Sequence, residues 1–81
     1  MTETPSYEIV GYDKDNDVYE TLTTAKYYAT GYRKLKLIAQ KHKEQEIKST
    51  AGEPFDWFEL IYVPTDTRKA FTDGINIIEE K

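Results

Sequence analysis

The chain has no cysteine, one histidine, one tryptophan, three prolines and four glycines among its 81 residues. Without cysteine there is no disulfide, no thiolate-bound metal and no thiol nucleophile, so packing alone must hold the fold. The lone histidine, His42, lies between Lys41 and Lys43 and lacks the positioned partner and enclosure that a general base requires. It reads as a solvated surface side chain. There is no glycine-rich phosphate loop, and neither Ser6 nor Ser49 has neighbours that would activate its hydroxyl. Neither catalysis nor a cofactor or metal is expected.

Long hydrophobic runs are missing as well. The longest, Trp57 to Val63 and Leu35 to Ala39, are interrupted by Glu59 and Lys36 and fall far short of the roughly 20 residues that a bilayer span needs. Met1 to Ser6 is polar and acidic, without the basic start and apolar stretch of a secretion signal. The expected protein is soluble and cytoplasmic, with no membrane partner.

What the chain does have is aromatic weight, 14% of its residues with seven tyrosines, in a composition that is 38% hydrophobic. Tyrosine buries a large ring while keeping its hydroxyl at the wet edge, so it serves both core and contact surface. A chain this short buries only about 60–65% of its unfolded surface and supports one core. Residues 1–81 are therefore expected to form a single domain, with residues 1–6 disordered and residues 79–81 frayed.

Tyr7 to Tyr12 alternates, placing Tyr7, Ile9 and Gly11 on one face and Glu8, Val10 and Tyr12 on the other, as a strand does. Asp13 to Asp17 supplies turn formers, and Val18 to Leu22 resumes β-prone residues, completing a hairpin. Thr23 is an acceptable helix N-cap, with Leu22 and Tyr27 placed to close as a hydrophobic staple. From there Ala25, Tyr28, Ala29, Tyr32, Leu35 and Ala39 recur at threes and fours, with Ile38 on one flank, which predicts an amphipathic helix from Thr24 to about Gln45. Gly31 lies in the same arc, where it would let a strand approach closely. Gln40 to Glu46 contains no apolar residue and should overhang the sheet.

After a loop from Ser49 to Pro54, Phe55 to Val63 is apolar on both faces apart from Glu59, the pattern of a central strand. Pro64 to Thr67 forms a second turn, followed by a strand from Arg68 to Thr72. Ala70, Phe71, Gly74, Ile75 and Ile78 also fit a helical stripe, so a C-terminal helix is the alternative. A turn at Asp73-Gly74 and a short strand from Ile75 to Ile78 are favoured, because Gly74 falls inside that stripe and Ile75, Ile77 and Ile78 are β-branched. The expected fold is α+β in ββαββ order, one long helix packed on a mostly antiparallel sheet.

Asp13, Asp15 and Asp17 match the opening of a calcium-binding helix–loop–helix, but its sixth position, which needs glycine, is Val18, and its twelfth, which needs glutamate, is Thr24. The three acids read as a solvated turn.

Charge is the most polarised property. Lys26 to Lys48 carries a net +5 inside a chain of net −4, and the flanking segments carry −5 and −4. With successive helical residues about 100° apart, Lys26, Arg33, Lys34 and Lys41 fall on the face opposite the apolar stripe, with Leu37 among them. An apolar residue with a charged rim suits an anchor that excludes water and steers a partner of opposite charge. The expected function is therefore non-catalytic: protein–protein contact through Lys26, Arg33, Lys34, Leu37 and Lys41, with an acidic or mixed partner or with a second copy in a homodimer. A chain of this size suits an accessory role, regulating or inhibiting a larger partner. The alternative is nucleic-acid binding, with Lys26, Arg33, Lys34 and Lys41 on phosphates and Tyr27 stacking, or with strand tyrosines (Tyr7, Tyr12, Tyr19, Tyr62) as a sheet reader. It is opposed by the surplus of acids and by the scarcity of base-reading side chains on that face.

Overall fold

A computed structural model of the chain describes residues 6–80. The elements run β1 (Tyr7–Asp13), β2 (Val18–Ala25), α1 (Tyr28–Glu44), β3 (Trp57–Tyr62), a 3-10 turn (Val63–Thr65), β4 (Thr67–Asp73) and β5 (Asn76–Glu79). The fold is α+β, but three strands follow the helix, so the order is ββαβββ where ββαββ was expected. All neighbouring strands are antiparallel, in the order β2-β1-β3-β4-β5. Among the described residues no helix is long and apolar enough to cross a membrane.

The C-terminal helix does not form. Asp73 pairs with Asn76 across a two-residue turn, whose first position takes Gly74 at φ 64, a conformation open to glycine and costly for side-chain-bearing residues. Of the expected ends, Met1 to Pro5 and Lys81 lie outside the described residues. The Ser6 carbonyl accepts the Val63 N–H, Glu79 is the last residue of β5, and the Glu80 N–H donates to the Lys69 carbonyl.

The helix begins four residues later than the periodicity predicts. Thr23, Thr24 and Ala25 pair with Ile9, Glu8 and Tyr7, so the backbone groups that a helix start at Thr24 would use are committed to the β1 ladder. The cap falls on extended Tyr27, without a side-chain bond, and the Leu22–Tyr27 staple is absent: Leu22 packs on the core from β2 while Tyr27 is exposed. At 17 residues, α1 is about 25 Å long.

One face of the sheet carries α1. Ile9, Leu35, Phe55, Phe58, Leu60 and Ala70 form the buried core, flanked by Tyr7, Leu22, Tyr28, Ile38, Ile47 and Ile77. Ala29, assigned to the apolar stripe by spacing, is exposed. Gly31 does bring α1 close to β3: a Cβ there would stand 2.8 Å from Leu60 Cδ1. Gly11 has the same use in β1, since the Phe55 ring covers it and a Cβ would meet that ring at 2.6 Å.

Two bulges set which side chains leave this core. The β1–β2 register slips between Ile9 and Val10, leaving Leu22 as the extra residue, and the β3–β4 register slips between Leu60 and Ile61, leaving Lys69. Strict alternation would put Arg68 on the same face as Ala70, and Thr21 on the same face as Thr23. The extra residue reverses this, so Arg68 and Thr21 reach the face away from α1 while Ala70 stays buried.

Candidate interaction surfaces

Leu37 is 64% exposed on the solvent side of α1, opposite Gly31, Leu35 and Ala39, which are buried. Arg33 and Lys41, one turn to either side of it, are exposed. Lys34 is half-buried on the flank, with its Nζ donating to the Thr24 carbonyl at 2.7 Å, so part of its charge serves the junction between β2 and the helix. Lys26 and Tyr27 precede the first turn. Both are exposed, with Lys26 Nζ 5.7 Å from the centroid of the Tyr27 ring. Arg33, Leu37 and Lys41 thus form one exposed row along α1, with Lys34 on its flank. Lys36 and Lys43 are also exposed and widen the basic surface.

His42 departs from the expectation of a solvated side chain. It is half-buried, its ring edge meets the Phe58 ring at 5.0 Å, and its Nδ1 accepts the Ile47 N–H at 2.9 Å. The chain after α1 folds back under the helix end, so that end is covered on one side where an overhang was expected.

The acidic turn after β1 is built around Asp13, which is buried. Its Oδ2 accepts from Asn16 Nδ2 at 2.7 Å and from Ser49 Oγ at 3.0 Å. The Asn16 bond, chiefly, and the Ser49 bond hold its carboxyl below the ordinary carboxylate value, against the opposing effect of burial. Asp17, at φ 51, accepts the Tyr12 hydroxyl at 2.7 Å, and this bond above all pushes the Tyr12 phenol up to about 12. Asp13 and Asp17 are thus engaged, and with Asp13 buried the turn is not the fully solvated trio that the sequence suggested, although Asp15 is exposed. Among the described residues no group of three or more His, Asp or Glu side chains could hold a metal ion.

The sheet face away from α1, which the sequence marked only through strand tyrosines such as Tyr12 and Tyr19, carries a second candidate surface. A Tyr12–Tyr19 pair with centroids 4.5 Å apart adjoins a Tyr12–Trp57 pair at 4.6 Å. Beside them Glu59 is only 4% exposed and accepts from Trp57 Nε1 at 2.7 Å, both residues lying on β3. Arg68 reaches the same Glu59 Oε2 at 3.4 Å, pairs with Glu80 and lies 4.5 Å from the centroid of Phe71. A groove of about 460 Å³ runs beside this cluster, lined by Glu8, Val10, Tyr19, Glu59, Ile61 and Asp66 together with the bulge-delivered Thr21 and Arg68. The two-sided apolar pattern of Trp57 to Val63 was the available signal for this face. It marks a central strand correctly, yet among the described residues no second layer covers its outer side.

Compared with models of known protein families, with curated proteins and with solved structures, the chain matches none.

Proposed function

We propose that the protein is a small non-catalytic binding protein that docks an acidic protein surface through the exposed face of α1 centred on Leu37. The exposure of Leu37 between Arg33 and Lys41 carries this reading. Full burial of a leucine side chain is worth about 1.5–3 kcal/mol, and a cationic rim adds steering and selectivity more than affinity. Such a contact suits an accessory role in which the chain regulates or inhibits a larger partner.

Leu37→Glu provides the test. It should abolish both specific co-purification from the native cell and any self-association in sedimentation, while thermal stability stays within about 0.5 kcal/mol. Retention of every association by this variant would refute the reading.

Phosphate binding by Lys26, Arg33, Lys34 and Lys41 with Tyr27 is the second reading, favoured by the exposed Tyr27 ring beside Lys26. The engagement of Lys34 with the Thr24 carbonyl weighs against it. Binding of this kind should weaken by orders of magnitude between about 50 and 200 mM salt. If no nucleic acid is retained at low salt, it is excluded.

A further inference from the structure

From the groove on the open sheet face, we infer a second binding site, separate from the helix: a slot for a lysine or arginine side chain carried by an extended segment of a protein partner. Three observations meet there. The groove is lined by three carboxylates, Glu8, Glu59 and Asp66, against the single guanidinium of Arg68. Arg68 is already engaged by Glu59 and Glu80, so its charge does not neutralise the other two acids. Among the described residues, neither Glu8 nor Asp66 has a side-chain hydrogen bond or an ion pair.

Glu59 adds an independent sign. It is more than nine-tenths buried, and both its donors, Trp57 Nε1 and Arg68, go to Oε2. Its Oε1 accepts from no group of the chain among the described residues. That oxygen, on a side chain that lines the groove, stays open to solvent and can accept from an incoming N–H group of positive charge.

The remaining lining matches the rest of a long cationic side chain. Val10 and Ile61 offer apolar surface to a methylene stem, and the Tyr19 ring offers an aromatic wall to the charged head. About 460 Å³ is room enough for one or two such side chains. The charge of this site is opposite to that of the Leu37 face, so the two surfaces select different partners or different parts of one.

The test titrates the full chain with a capped pentapeptide alternating valine and arginine, followed by amide NMR and by Trp57 fluorescence. Analogues carry lysine or glutamate in place of arginine. The expected result is saturable shifts at Val10, Tyr19, Thr21 and Ile61 with the arginine and lysine peptides and none with the glutamate peptide. The double variant Glu8→Gln/Asp66→Asn should bind about tenfold more weakly with an unchanged Tm, whereas Leu37→Glu should bind as the parent does. Equal binding of the glutamate peptide, or undiminished binding by the double variant, overturns the site. So do shifts confined to the exposed edge of β2, which would mean strand addition. Shifts that appear on concentrating the protein alone would make a second copy the occupant and overturn a separate partner.

Discussion

Tyr28 Oη donates to Glu79 Oε1 at 2.6 Å, joining the first turn of α1 to the last residue of β5 across 51 positions of sequence. Tyr28→Phe keeps the ring contacts with Tyr7 and Tyr32 and removes only this bond. A loss of about 0.5–1 kcal/mol is expected, with faster hydrogen exchange in β5. Desolvation first, then the Glu79 bond and charge, pushes the Tyr28 phenol from 10.0 up to about 12. A phenol raised on folding contributes stability that is complete below its unfolded value and disappears as pH rises through its folded one. Stability should therefore decline between roughly pH 10 and 12, and less steeply in Tyr28→Phe. Tyr12, raised to about 12 by Asp17, accounts for part of the remaining decline. Identical alkaline limbs in parent and variant would rule out the linkage.

Alanine at the two packed glycines should separate a rigid neighbour from a yielding one. At Gly31 the new Cβ meets the end of a leucine, Leu60 Cδ1 at 2.8 Å, and helix propensity returns about 1 kcal/mol. The net cost should be about 1 kcal/mol or less. At Gly11 the Cβ meets three atoms of the Phe55 ring at 2.6–2.8 Å, and an aromatic ring cannot give way by bending. Gly11→Ala should therefore cost about 2–3 kcal/mol. Adding Phe55→Leu should recover part of that loss in chemical denaturation; if it recovers nothing, the obstruction lies elsewhere.

Local spacing carried some elements a long way and others nowhere. The three-and-four recurrence around Leu35 and Ala39 located both the buried face of α1 and the outward position of Leu37, because a helix fixes side-chain direction within one turn. The two-sided apolar run placed β3 at the centre of the sheet. Arg68 was illegible, since it shares parity with Ala70 and only the unpaired Lys69 turns it outward. Bulges arise from ladder pairing with a distant strand, and no local pattern records them. The start of α1 was misplaced for the same reason, as Thr23 and Thr24 are strand residues only because β1 is there to pair with them.

Asp13 should make the first hairpin acid-sensitive. Its carboxyl is held below its ordinary 3.8, so its contribution is complete above that value and is lost as pH falls through the lower folded one. Asp13→Ala should abolish this acid limb and lower Tm by more than Ser49→Ala does. The first change strips partners from both Asn16 and Ser49, whereas the second removes one of several bonds to the carboxylate. The amide of Ala51, which donates to Ser49 Oγ, should exchange faster in both variants. Equal Tm losses would mean that Asn16 contributes little to holding the carboxylate.

His42 should behave as a structural residue despite its lysine neighbours. His42→Ala removes the edge contact with Phe58 and leaves the Ile47 N–H without its acceptor. An amide deprived of its partner in a partly buried position costs about 1–3 kcal/mol, and loss of the ring contact adds to it, so about 2 kcal/mol or more is expected. Lys41→Ala and Lys43→Ala, at exposed positions, should stay within about 0.5 kcal/mol of the parent. Amide exchange at Ile47 locates the effect: it should be slow in the parent and in both lysine variants, and fast in His42→Ala. If His42→Ala matches the lysine variants in stability, the imidazole contributes nothing to anchoring the chain after α1, and that segment is held by the packing of Ile47 and Phe55 and by the Asp13–Ser49 and Glu20–Thr50 bonds.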